Sequence, residues 1–506
     1  KAGAGIGIAI GDNSKTDTFA QNQIAIGVGA KDVSDGSAPN DAAIAIGAGA
    51  HTYNELGRRV AAVSFGKNQK DYTGGIAIGK DTYAITTGTS IGQRDYNGIM
   101  GDITVSDSNR DVIQYAPGAT SLGSNAYAGG TLATVIGAYN ISTSGYNGKG
   151  GLNTYQYAVQ NFGSTILGTL NTNESATAPT SFLPPLPSYS GIANSLVGVA
   201  NRTYNTNGAI IMGAGNEITN SVTSISGVSA TTNASSVNEL ADTLRNAVGK
   251  SDSGGATLVI GGGNKADYAQ KTQILGVNNT VTGTKRNISD YNMIDGFGNT
   301  ITGASHLYTI GTNNTITNAR NTILAGDDYT AVSGLTDSVI IGNNRVRGKD
   351  DKAEFAYFSN QKNIVSIGNK NVLDSTDGSI SIGNNNFMWR SGGQPEKYGY
   401  DTGNVAIGNN TYINSYVNQG DSIVIGKNAT VINMGGSLEK AFAFGRPEGK
   451  DYSGSIAIGQ NTYARSGSTM IGIHDYQGTL GDLDINFTNG KSEGSSGIGN
   501  YQESID

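Results

Sequence analysis

About twenty-five times the chain returns to one short phrase: small or aliphatic residues, a β-branched residue, then glycine. It reads Ile8-Ala9-Ile10-Gly11, Ile24-Ala25-Ile26-Gly27, Ile44-Ala45-Ile46-Gly47 and Ile76-Ala77-Ile78-Gly79. Late in the chain it is still present as Ile380-Ser381-Ile382-Gly383, Val405-Ala406-Ile407-Gly408, Ile423-Val424-Ile425-Gly426 and Ile456-Ala457-Ile458-Gly459. Where nothing is inserted the closing glycines lie about 13 to 16 residues apart, as in Gly66, Gly79 and Gly92 or Gly296, Gly311, Gly326 and Gly342. A fixed period this short predicts a solenoid, each repeat forming one coil.

The run before the glycine is too short for a helix and rich in Ile and Val, which predicts a strand. Glycine then turns the chain where a side chain would clash. Asparagine follows two residues on (Asn125, Asn410, Asn428, Asn461) or three on (Asn140, Asn171, Asn201, Asn216, Asn264, Asn279, Asn299, Asn314), which predicts a stack of Asn-bearing corners. A second short strand comes next, as in Thr280-Val281-Thr282, Thr300-Ile301-Thr302 and Thr315-Ile316-Thr317, with one apolar residue inward and threonines toward water.

In the first strand Ile76 and Ile78 share a face, and the residue between them takes the other. In the middle coils the strand is apolar throughout (Ile210-Ile211-Met212, Leu258-Val259-Ile260, Val339-Ile340-Ile341), with no charged residue. A strand apolar on both faces is buried on both. A thin one-chain roll has an inside for only one face, so the other is expected against another chain. Ala9, Ala25, Ala45, Ala77, Ser381, Ala406, Ala443 and Ala457 are the expected close-approach residues of that homo-oligomer. The alternative is a monomer in which a helix or insertion covers the face.

The pattern resembles the head domain of trimeric autotransporter adhesins, the Yersinia-adhesin-like head. Ser455-Ile456-Ala457-Ile458-Gly459-Gln460-Asn461-Thr462-Tyr463-Ala464 follows that family's repeat, as do Gly75–Ala84 and Asn404–Ile413. The resemblance implies an all-β, left-handed parallel β-roll with three subunits side by side. It further implies adhesion to host surfaces from the outer membrane of a Gram-negative bacterium. The family binds collagen, fibronectin, laminin and immunoglobulin-like receptors. The Asn-, Ile- and Tyr-rich, cysteine-free composition is similar to fusobacterial heads that bind carcinoembryonic-antigen-related adhesion molecules. The expected partner is therefore a host surface glycoprotein or an extracellular-matrix protein. A heptad stalk, a neck motif, a membrane-anchor segment and a signal peptide are not recognisable, so an excised or secreted head is expected, reaching a membrane only through segments outside this chain.

Composition is consistent with this reading. Glycine, 75 of 506 residues, is explained by one corner per coil. The absence of cysteine removes thiol chemistry and thiolate metal sites. A net charge of -7 argues against nucleic acid and anionic membrane surfaces as partners.

Insertions between coils are where such scaffolds carry recognition. They fall at about 93–120, 138–165, 170–195, 231–253, 345–363, 385–403 and 473–496. The first and last are related, opening on Asp95-Tyr96 and Asp475-Tyr476, and read as hairpin caps or receptor contacts. Residues 170–195 hold four of the eight prolines, interleaved with Phe182, Leu183, Leu186 and Tyr189, as in a stiffened binding loop or one folded on a neighbouring subunit. Phe355, Tyr357 and Phe358 form a second candidate anchor cluster, with an edge strand as the alternative, and Phe387, Met388, Trp389 and Tyr398 a third, with a loop core as the alternative. In 231–253, Val237, Leu240, Leu244 and Val248 keep helical spacing behind a capping box, Ser236 and Glu239. That helix is expected to pack on the roll or its symmetry mates.

No catalytic, metal or cofactor site is expected. His51, His306 and His474 are far apart in sequence, and Gly261-Gly262-Gly263-Asn264-Lys265 lacks phosphate-loop spacing. Two other classes remain open: a β-solenoid enzyme acting on polysaccharide, which needs two facing carboxylates in a groove, and a self-associating spacer.

Overall fold

A computed structural model of the chain describes residues 6–18, 20–34, 41–54, 63–65, 67–94, 116–144, 161–175, 190–222, 234–249, 256–329, 332–343, 361–374, 376–391, 401–416, 421–433, 454–465 and 467–473. The chain divides into two compact units, Lys1–Tyr291 and Asn292–Asp506. Each is built the same way, from short parallel strands stacked one coil on the next, as the glycine period predicts.

In the first unit the first-strand ladder runs through twelve strands, from Gly7–Ile10 by way of Ile76–Ile78, Thr165–Thr169 and Ile210–Ala214 to Gln273–Val277. In the second unit it runs through ten, from Met293–Phe297 by way of Val365–Ile367 and Val405–Asn409 to Thr469–Ile471. The register keeps glycine beside glycine, as in Gly198↔Gly213 and Gly213↔Gly261. The reason is steric. Gly213 has φ +138°, and a Cβ there would fall on the carbonyl oxygen of Gly261; Gly311, at φ +144°, stands in the same relation to Gly326. Any other residue would force the coils apart.

The second strands form their own parallel ladders, including Arg202–Tyr204, Glu217–Thr219, Lys265–Asp267 and Thr280–Thr282 in the first unit, and Phe387–Ser391, Tyr412–Tyr416 and Thr430–Asn433 in the second. Val281, Ile301 and Ile316 are fully buried between flanking threonines that face outward.

The two asparagine offsets serve two purposes. At two residues past the glycine, Asn125, Asn410, Asn428 and Asn461 take left-handed backbone themselves, at φ 51°, 58°, 56° and 53°. At three past, the preceding residue turns left-handed instead, as in Leu170 (φ 61°) and Ala200 (φ 54°), and the asparagine points inward. These buried asparagines form a ladder. Asn201 Oδ1 accepts from the backbone N–H of Asn216 (3.1 Å) and from Asn216 Nδ2 (3.0 Å), while Asn201 Nδ2 donates to the carbonyl of Gly213 (2.7 Å). The pattern continues from Asn140 to Asn279 in the first unit, and Asn299 and Asn314 repeat its backbone and glycine-carbonyl bonds in the second. Each amide saturates donors and acceptors that the corner would otherwise leave unmade in the interior.

Two facings predicted from the sequence are corrected here. Ala25, Ala45, Ala77, Ser381, Ala406 and Ala457 are fully buried inside the coil, not on its outer face, and Ala9 occupies the same inward position on its strand. The isoleucines beside them point outward. The two sheets of a thin roll approach closely, so in these coils the inward residue must be small: Ala45, Ala50, Ala77 and Ala84 pack together as one core cluster. Ala443 lies outside the described residues. In the column just before the corner glycine the outward face also carries a charge, Asp295, on the strand Met293–Phe297.

The predicted helix is present as Val237–Gly249. Ser236 Oγ accepts from the N–H of Glu239 (3.2 Å), and the Glu239 carboxylate caps back onto the N–H of Ser235 (2.8 Å), one residue earlier than a capping box places it. Leu240 is buried with Phe162, Ile192 and Ala234, and Leu244 packs beside them with Phe65 and Leu132. The helix thus closes on the corners of its own roll.

Candidate interaction surface

The first-strand sheet turns a long apolar face outward. On each strand the residue just before the corner glycine points away from the coil. In the first unit this column runs from Ile10, 57% exposed, through Leu122, Leu167 and Met212 to Ile260 and Leu275. In the second it runs from Asp295 through Ile310, 57% exposed, to Ile341, Ile382, Ile407 and Ile471. A parallel column lies two residues earlier: Ile8, Ile210, Tyr308 and Ile323 are exposed there, whereas Thr89, Thr120, Thr134, Thr165 and Ser195 supply hydroxyls in five consecutive coils. At about 4.8 Å per strand, the nine strands of the second unit from Ile310 to Ile471 make an apolar strip about 38 Å long. Contiguous apolar surface of this extent makes the strip a candidate interaction surface.

The candidate anchors divide by position. Phe387 and Met388 belong to a second strand, not to a loop, which corrects their assignment to an insertion. Met388 is fully buried inside the coil, and Phe387 stacks on Tyr412 of the next coil with ring centroids 5.6 Å apart. The alternation of in and out along a strand accounts for both. Trp389 is on the same strand. Phe182, Leu183, Leu186, Tyr189, Phe355, Tyr357, Phe358 and Tyr398 lie outside the described residues.

Charge is sparse inside the roll, and each buried ionisable group has a local history. Asp32 is fully buried in the N-terminal coils, where it accepts a hydrogen bond from Thr52 Oγ1 and leaves its second oxygen without a partner; burial pushes its pKa up to about 7. Glu174, on a second strand, is gripped by Arg202, with Nε to Oε1 at 3.0 Å and Nη2 to Oε2 at 3.3 Å, and Arg202 reaches on to Glu217 at 2.8 Å. Burial still holds the Glu174 pKa above the ordinary value, opposed by the guanidinium.

Arg94 escaped the sequence reading. It is 1% exposed, and its Nη1 donates to the carbonyls of Gln93 (2.9 Å) and Gly123 (2.7 Å). Its Nη2 donates to Ser90 Oγ (3.0 Å) and Ser121 Oγ (2.7 Å). It clamps the coil on either side of the 93–120 insertion; the serines in place of alanine at the inward position were the available signal.

Of the three histidines, His51 packs edge-on against Tyr83, His306 bonds to Ser305 Oγ at 3.0 Å, and His474 lies outside the described residues. Among the described residues no group of three or more His, Cys, Asp or Glu could hold a metal ion, and no helix is long and apolar enough to cross a membrane. A scan against protein-family models finds no match to the chain, and a search of curated proteins finds none.

Proposed function

We propose that the protein is the head of a trimeric bacterial surface adhesin: three copies of a left-handed β-roll, side by side, carried outside the outer membrane and binding a host surface glycoprotein or matrix protein through insertions between coils. The observation that carries the assembly is the outward isoleucine face. No described element of either unit covers its column from Ile310 to Ile471 or from Ile10 to Leu275. A second copy is its best-fitting occupant, because a column with one side chain per coil matches the spacing of an identical column. The adhesive role rests on the repeat's resemblance to adhesin heads and on the position of the insertions, which interrupt the ladders without breaking their register. Carcinoembryonic-antigen-related adhesion molecules are the receptor class to test first.

The test is binding of the purified protein to immobilised receptor ectodomains and matrix proteins, scored beside its binding to itself. The proposal expects saturable binding to at least one host protein. Self-association with no host binding would overturn the adhesive role in favour of a spacer. Release of reducing ends from polysaccharide would overturn it in favour of an enzyme.

A further inference from the structure

Asp295 is the one charged residue in an outward column that is otherwise aliphatic. In the second unit that column occupies ten strands, and the nine after Asp295 carry only Ile or Ala, from Ile310 to Ile471. Asp295 is exposed and stands in register beside Ile310. Its own strand offers it Met293 and Phe297 on the same face. The carboxylate therefore projects from an apolar surface with no basic side chain beside it on its strand or on the strand Ser305–Thr312 in the same column.

Such a column has a weakness as an interface. Its repeat is about 4.8 Å, one strand spacing. If two copies lie side by side and one slides by a single coil, aliphatic side chains still meet aliphatic side chains along nearly the whole column. The apolar strip supplies affinity and leaves alignment poorly specified, as in any ladder whose pattern is uniform. A polar residue at one level of an apolar seam removes that degeneracy, because only one alignment brings the polar groups together.

We propose that Asp295 is the register key of an interface between copies of this chain, aligning them coil for coil. With the copies aligned, their Asp295 side chains share one level, where water and counter-ions enter and screen the like charges. With one copy slipped by a coil, each Asp295 is pressed against the partner copy's Ile310 or its equivalent, and the carboxylate loses its hydration without gaining a partner. The desolvated arrangement is the costlier one. The inference rests on the oligomeric reading above; it adds a residue that each copy must contribute at the same level.

The test is single-particle imaging of the assembled full chain, comparing native protein with Asp295→Ile and Asp295→Asn. Native protein and Asp295→Asn, which keeps a polar group at that level, are expected to give one class with all copies level. Asp295→Ile is expected to add classes in which one copy is displaced along the roll by about 4.8 Å or a multiple of it. Uniformly level copies in Asp295→Ile, at unchanged particle mass, would overturn the role of Asp295 and leave the oligomer standing. Displaced classes in the native protein would overturn it also. Monomeric particles in all three would overturn the oligomer itself.

Discussion

Asn216→Ala tests the corner ladder at its most regular point. The substitution removes four hydrogen bonds. Asn216 Nδ2 loses Asn201 Oδ1 (3.0 Å) and the Gly261 carbonyl (2.9 Å), and Asn264 loses the acceptor for its backbone N–H (3.1 Å) and its Nδ2 (3.0 Å). Each is worth about 1 kcal/mol net, and Asn264 N–H is left in a site that is fully buried, so the expected cost is about 4 kcal/mol. Asn220→Ala is the control. It also removes two side-chain bonds, to Asn205 (3.0 Å) and Asp267 (2.8 Å), but at a half-exposed site where water replaces them, for about 1 kcal/mol or less. A solenoid opens locally and not as one cooperative unit, so the assay is amide hydrogen exchange. The Asn264 amide should exchange about a thousandfold faster in Asn216→Ala, 4 kcal/mol at about 1.4 kcal/mol per tenfold. If it accelerates no more than in Asn220→Ala, the ladder is a geometric regularity without energetic weight.

Three further outcomes are expected. Asp32 binds its proton more tightly folded than unfolded, so stability should fall as pH rises from about 4 to about 7 and level off above, by at most about 4 kcal/mol; thermal melts of Asp32→Asn should lose that slope, and an unchanged slope would refute the assignment. Ile407→Glu, on the outer face, should yield a folded chain that no longer assembles, whereas Ala406→Glu, fully buried one residue earlier, should destabilise the coil itself by several kcal/mol; equal effects on circular dichroism would contradict the corrected facing. Changing Phe182 with Leu186, Phe355 with Phe358, or Trp389 alone to Ala should in at least one case weaken receptor binding by about 1–3 kcal/mol with assembly intact, measured by surface plasmon resonance; no loss in any would move the contact onto the regular coils.

The strands, the glycine corners and the helix were legible because each is dictated by local spacing. Glycine recurs where a Cβ would strike the next coil, and Leu240 and Leu244 recur at one helical turn. Alternation also separated the two faces of the first strand, but it could not say which one is inside. Ala77 between Ile76 and Ile78 reads equally well as a close-approach surface or as a thin core. The opposing strand decided it: Ala84, across the roll in the same core cluster, leaves room for alanine only. Phe387 and Met388 were misplaced for a related reason. An aromatic run beside glycines resembles a loop, and only the parallel pairing to Tyr412 and Ile413 reveals a strand. Arg94 was signalled only by the inward serines Ser90 and Ser121, because its other partners are carbonyls brought together across coils.

The central claim is that identical chains cover the outward isoleucine face. Multi-angle light scattering of the purified protein measures this most directly. The account predicts a particle of three times the 52.0 kDa chain mass, stable on dilution. A soluble, folded species at 52.0 kDa would leave the face from Ile310 to Ile471 open to water and would contradict it.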